Sequence, residues 1–206
     1  MRAASLSLIL LSAFRFFPLL PQHWTQTPNE TIWREKYTNC DKAYAVSLPK
    51  GVIAHNGLPP SPNHGFLVSA EMPQTVSEVT LQAERLVGVT DSYYDPSDGA
   101  EFSSPQTYLK KELERAGAIE VFARSDAKFR GLPASYAHYR KKNGDVAVEE
   151  EEMIVFRSNP RKLSSLLYVI WLSTPSSHYE KDHKLFEQVR DGFHLLPDPS
   201  GKCSND

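Results

Sequence analysis

An α+β fold, a mostly antiparallel β-sheet flanked by helices, is what this 206-residue sequence predicts. Three observations predict it. Asn143-Gly144 separates two alternating segments, 132–142 and 145–157, and a two-residue Asn-Gly loop favours the type I′ turn of an antiparallel hairpin. Residues 165–173 are apolar on both faces of a strand, with Leu166, Tyr168, Ile170 and Leu172 on one side and Leu167, Val169 and Trp171 on the other. Such a strand is central and covered from both sides. Two further stretches, 105–116 and 177–192, repeat apolar residues at helical spacing and supply the covers.

Each element has its own local cause. Ala43 to Leu48 alternates and is stopped by Pro49-Lys50-Gly51, which reads as a short first strand. The proline-rich segment 57–63 cannot donate a regular ladder and is a loop. Strands are expected at 65–70 and 85–93. The first helix is bounded by Ser104 as N-cap, Pro105 at its first position and Gly117 as its stop. Its Tyr108, Leu109, Leu113 and Ala116 share one face. A strand from Ile119 to Arg124 precedes the hairpin, and Asn159-Pro160 separates the hairpin from the doubly apolar strand. On the last helix Tyr179, Phe186 and Val189 recur at helical spacing towards Phe193, and aromatics so spaced belong to a core rather than a cofactor box. Pro197 and Pro199 end the fold.

The organisation predicted is a signal peptide over 1–25, a linker over 26–42, one α+β domain over 43–197 and a flexible tail over 198–206. Met1-Arg2 followed by a predominantly apolar run of twelve residues, Ala3 to Phe14, has the form of a secretory signal. The run is too short to span a bilayer, and Arg15, Pro18 and Pro21 interrupt its extension, so no stable membrane span is expected. No Ala-x-Ala cleavage motif precedes Gln26. Export to the periplasm or the exterior would permit a disulfide between Cys40 and Cys203, the two cysteines of the chain. Closing so long a loop stabilises by about 5 kcal/mol on chain-entropy grounds. Unpaired thiols on the flanks are the alternative. The spacing excludes a CxxC redox pair. Asn29-Glu30-Thr31 is a glycosylation sequon only in a host that glycosylates. With 23 basic against 25 acidic residues and a net charge of −2, the chain lacks the broad attraction of a nucleic-acid binder.

The chemistry-bearing stretch is Glu149-Glu150-Glu151-Glu152, four carboxylates inside a predicted strand. If Asn143-Gly144 forms the loop, His138 faces Glu149, Tyr136 faces Glu151 and Lys142 faces Asp145 on one face, while Glu150 and Glu152 interrupt the other, core-like face. Either a bulge or an overhanging hairpin carries the carboxylates into water, or His138, Glu149 and Glu151 form a polar site for proton transfer or cation binding. His178 and His183 fall on different faces of the last helix and read as solvated. No nucleophile elbow, HExxH helix, phosphate loop, dinucleotide fingerprint or EF-hand loop occurs, so neither catalytic, cofactor nor metal residues are assigned and no cofactor is expected.

Several stretches together resemble the Mog1/PsbP-like group of α/β/α sandwich proteins. They are the Tyr44-Ala45-Val46-Ser47-Leu48-Pro49 strand, Gly131-Leu132-Pro133-Ala134 before the hairpin, the aromatic strand 167–172, and Thr174-Pro175 running to a helix that closes on Gly192-Phe193. The segment 58–66 also resembles uncharacterised exported bacterial proteins. The resemblance implies an α/β/α sandwich and a non-enzymatic accessory or binding role, and it offers no catalytic residues to transfer. The primary expectation is a non-catalytic extracytoplasmic domain binding an unknown protein or small ligand, through an exposed apolar patch near 57–64. A hydrolase-type enzyme using His138, Glu149 and Glu151, or a secreted cation binder using the same carboxylates, are the alternatives. The oligomeric state is left open.

Overall fold

The computed structural model describes residues 32–40, 42–55, 65–70, 78–87, 93–94, 101–102, 104–159 and 164–197. The expected signal peptide, the loop expected at 57–63 and Cys203 lie outside the described residues. In chain order the strands are β1 (Ile32–Arg34), β2 (Lys36–Asn39), β3 (Tyr44–Ser47), β4 (Val52–His55), β5 (Gly65–Ala70), β6 (Glu78–Val87), β7 (Tyr93–Tyr94) and β8 (Glu101–Phe102). After helix α1 (Pro105–Ala116) come β9 (Glu120–Phe129), β10 (Leu132–Asn143), β11 (Val146–Asn159) and β12 (Ser164–Pro175). Helix α2 (Tyr179–Gly192) and β13 (Phe193–Leu195) finish the fold.

Eight strands form one antiparallel sheet in the order β1-β4-β5-β6-β12-β11-β10-β9, so the doubly apolar β12 is interior. Its two side-chain sets divide as the alternation requires. Leu166, Tyr168, Ile170 and Leu172 join a core that includes Phe186 and Val189 of α2. Leu167 and Val169 join a second core with Leu109 of α1. The two helices therefore cover opposite faces of one sheet, and the layers run α/β/α.

Helix α1 starts and stops where its sequence signals stand. Ser104 Oγ accepts from the Thr107 amide at 3.2 Å, and Thr107 Oγ1 accepts from the Ser104 amide at 3.2 Å, a reciprocal capping box. Gly117 ends the helix in the left-handed region at φ 63°. Helix α2 leads without a break into β13, and a Cβ on Gly192 would collide with the carbonyl oxygen of Ser47 on β3. That contact explains why the helix closes on glycine.

Several expectations need correction. Residues 32–39, expected within a linker, form β1 and β2, which pair with β4 and β3. The chain changes sheets between them at Glu35, which adopts φ 64° and whose carbonyl accepts from the Leu48 amide at 2.7 Å. The strand expected at 85–93 instead occupies Glu78–Val87, and β4 and β13 had no counterpart in the sequence reading. The hairpin register also differs: Asn143 pairs with Val146, so the two loop residues are Gly144 and Asp145. Gly144 takes φ 62° at the first central position, where a II′ turn requires glycine. The register moves by two residues, which preserves every side chain's face and changes only its direct partner.

A small second sheet, β13-β3-β2, packs Tyr44 and Phe193 against each other with ring centroids 5.7 Å apart. Arg157 ties it to the main sheet by donating to the carbonyls of Ala43 and Pro197 at 3.3 and 3.1 Å.

Candidate functional site

All four carboxylates of 149–152 are buried, so the alternative in which they reach water is not realised. Strand alternation sends them to opposite faces: Glu149 and Glu151 lie under α2, and Glu150 and Glu152 lie under α1.

Under α2 the structure brings His138, Glu149 and Glu151 together. With the shifted register, His138 pairs across the strands with Glu151 and Arg140 with Glu149. The contacts are nonetheless diagonal as well as direct. His138 Nε2 is 2.9 Å from Glu149 Oε2, and Tyr136 donates to Glu151 Oε1 at 2.8 Å. Arg140 donates to the other Glu149 oxygen at 2.9 Å. Helix α2 contributes Tyr179, which donates to Glu151 Oε1 at 2.6 Å, and His183, whose Nδ1 lies 2.9 Å from Glu151 Oε2. Tyr179 stacks flat on His138 with centroids 4.2 Å apart. From β9 comes Phe122. The register between β9 and β10 slips at His138/Tyr139, and this irregularity leaves Phe122 over His138 at 4.7 Å, with the Arg140 guanidinium 4.6 Å from its ring.

The centre of this cluster is its most buried carboxylate. Glu151 is 0% exposed, and each of its oxygens receives a donor. A buried carboxylate is tolerated on these terms, because the donors replace its water shell. Burial alone would raise the Glu149 carboxyl, but hydrogen bonds from Arg140 and His138 outweigh it and hold its pKa below the usual carboxylate value. Burial, followed by the hydrogen bond to Glu151, raises the Tyr179 and Tyr136 hydroxyls. Both phenols stay protonated donors.

The α1 side is different. Glu150 and Glu152 line a cavity of about 330 Å³ between α1 and the sheet. Tyr108, Glu112, Arg115 and Ala116 line it from the helix, Tyr139 and Lys141 from β10, and Val169 and Trp171 from β12. Tyr139 donates to Glu150 Oε2 at 2.7 Å, and Lys141 Nζ lies 2.7 Å from Oε1 as a counter-charge without hydrogen-bond alignment. Arg115 donates to Glu112 Oε1 at 2.7 Å. Glu152 is 6% exposed, and its Oε2 has no hydrogen-bond partner among the described residues. Burial first, and then the charges of Glu112 and Glu150, push its pKa up to about 8, against a smaller opposing pull from Lys141. A pocket with a buried acid short of partners suits a ligand better than it suits the empty protein.

Among the described residues, no three His, Cys, Asp or Glu side chains are grouped so as to hold a metal ion. No described helix is long and apolar enough to cross a membrane.

No family model matches the chain, and no curated protein matches it. Solved structures do. LpqN of Mycobacterium tuberculosis, a protein involved in cell envelope biogenesis, superposes with a TM-score of 0.55 at 12% identity, over 82% of this chain and 91% of that one. Cyanobacterial PsbP from Synechocystis sp. PCC 6803 gives 0.48 at 16% identity, over 81% and 93%. The Ran-binding protein Mog1p of Saccharomyces cerevisiae gives 0.49 at 11% identity, over 84% and 100%. The fold is Mog1/PsbP-like. At these identities the likeness extends to the fold alone, and the LpqN overlap carries it together with the α/β/α layering described above.

Within the Mog1/PsbP-like sandwich, sequence reasoning located one polar cluster and missed part of it. His183 read as a solvated helix position because its partner, Glu151, lies on a distant strand. Tyr179 read as plain core. The α1 cavity had no signal along the chain, since its walls come from four separate elements. The apolar patch expected near 57–64 falls outside the described residues. Exposed large apolar side chains that are described include Ile119, Val121 and Phe122 at β9 and Val146 at the hairpin turn.

Proposed function

We propose that this chain is a non-catalytic extracytoplasmic accessory or binding domain that holds a small ligand in the cavity beneath α1. The observation that carries the reading is the contrast at 149–152. The carboxylates of the His138/Glu149/Glu151 cluster are matched by donors from their neighbours, whereas the α1 cavity has room and an unmatched acid. A hydrolase using His138 would need a reacting group within hydrogen-bond reach of its ring. Glu149, Tyr179 and Phe122 occupy that space.

The apolar run Ala3–Phe14 after Met1-Arg2 supports export, and LpqN, which shares the fold, takes part in envelope biogenesis. A disulfide between Cys40 and Cys203 fits the same setting. Pairing of β13 with β3 brings residues 193–195 beside 44–46, so the polypeptide leading to Cys203 leaves the domain near Cys40.

The test is to purify the chain from the envelope fraction of its native host and weigh it intact under native conditions. A retained small-molecule mass that disappears in Ala116→Phe, which fills the cavity, is the expected result. Turnover of simple ester, phosphate or glycoside substrates that falls in His138→Ala is the contradicting one.

A further inference from the structure

We infer that the α1 cavity takes a small primary alkylammonium ion, its nitrogen donating to Glu152 and its carbon chain lying against Tyr108 and Trp171. This inference rests on the reading of that cavity as the ligand site and names the ligand's chemistry.

Charge comes first. Three carboxylates face the cavity, Glu112, Glu150 and Glu152, against two cations, Arg115 and Lys141. Both cations already have carboxylate partners, Arg115 on Glu112 and Lys141 on Glu150, each at 2.7 Å. The remaining carboxylate is Glu152, more than nine-tenths buried, with Oε2 unpartnered among the described residues. With Glu152 ionised the cavity carries one excess negative charge, so an anionic ligand would be repelled, whereas a neutral donor would supply the hydrogen bond without the opposite charge. A cation with N–H groups supplies both the opposite charge and the missing donor.

Size and lining narrow the class. At about 330 Å³ the cavity sits at the small end of ligand pockets, enough for a short chain and too little for a nucleotide. Its apolar and aromatic surface, from Tyr108, Val169 and Trp171, suits methylene groups and the face-on approach of an ammonium to a ring. A bare metal ion wants several oxygen or nitrogen ligands converging on one point, and no such grouping of three His, Cys, Asp or Glu exists among the described residues. A primary amine is favoured over a quaternary one, because only the former can donate to Oε2.

A proton linkage follows. Glu152 faces Glu112, Arg115 and Tyr108 from α1, Tyr139 and Lys141 from β10, and Glu150 on its own strand. Its pKa of about 8 leaves it mostly protonated at neutral pH. Ammonium binding needs the ionised form, so below about pH 8 the affinity falls up to tenfold for each unit of acidification. Above that pH it levels, until the amine itself begins to lose its proton.

Calorimetric titration of the full chain with n-butylammonium, n-butanol, butyrate and tetramethylammonium tests this. Saturable binding of butylammonium alone, strengthening from about pH 6 to pH 8, is expected. Glu152→Gln, near-isosteric with the protonated acid, should weaken that binding at least tenfold at the higher pH and flatten its pH dependence. Glu112→Gln, on the outer wall, should weaken it less. Binding of butanol or butyrate that Ala116→Phe abolishes would overturn the ammonium assignment while leaving the cavity as the ligand site. Tetramethylammonium binding as tight as butylammonium would overturn the donor argument. No binding of butylammonium overturns the inference, and the retained-mass experiment then decides the cavity reading separately.

Discussion

Two faces of the same four residues behave in opposite ways. On the α2 face Glu149 and Glu151 are buried among donors, from Arg140, His138, Tyr136, Tyr179 and His183. On the α1 face Glu150 is matched by Tyr139 and Lys141, but Glu152 faces a cavity with one oxygen unsatisfied. The residue type and burial are the same, and the difference is the supply of donors. Burial alone therefore does not mark a functional carboxylate. What distinguishes Glu152 is burial next to open volume without a partner.

The largest expected effect breaks the satisfied face. Glu151→Leu removes the common acceptor of Tyr136, Tyr179 and His183 and leaves their polar groups buried, so chemical denaturation should show a loss of about 3 kcal/mol or more. Tyr179→Phe deletes one donor to the same carboxylate and should cost about 1–2 kcal/mol in the same assay. Tyr139→Phe removes the matching donor on the other face. Water from the cavity can replace it, and about 1 kcal/mol or less is expected.

At Glu152 the expected effect has the opposite sign. Because the Glu152 pKa is raised, its contribution to stability is full below the ordinary carboxylate range and is lost as pH rises towards about 8. Glu152→Gln should then equal or exceed the wild type in thermal unfolding, with the gap widening from mildly acidic pH to pH 8. Glu149 runs the other way. Its pKa is lowered, so its contribution is present above the ordinary range and disappears as acid protonates it. Glu149→Gln should lose stability at neutral pH and converge with the wild type in acid.

Much of the fold was legible because its signals are local. Ser104, Pro105 and Gly117 bound α1 through contacts a few residues apart, and β12 declares its central position by being apolar on both faces. The hairpin was legible but its register was not, since Asn143-Gly144 and Gly144-Asp145 are both acceptable loops and only packing chooses between them. β1 and β2 are three and four residues long, too short to show periodicity, and they form by pairing with later strands. The polar cluster was half legible: His138, Tyr136 and the glutamates share a hairpin, whereas His183 arrives from a helix 32 positions away from Glu151. The α1 cavity is a product of tertiary assembly and could not be read along the chain.

The most direct test is a pH titration of the glutamate side-chain carboxyl carbons by NMR on the full chain. The expected result is Glu152 titrating near pH 8 and Glu149 below the ordinary carboxylate range, with Glu152 alone moving downward when butylammonium is added. Glu152 titrating with the ordinary surface carboxylates, unmoved by the amine, would contradict the difference between the two faces.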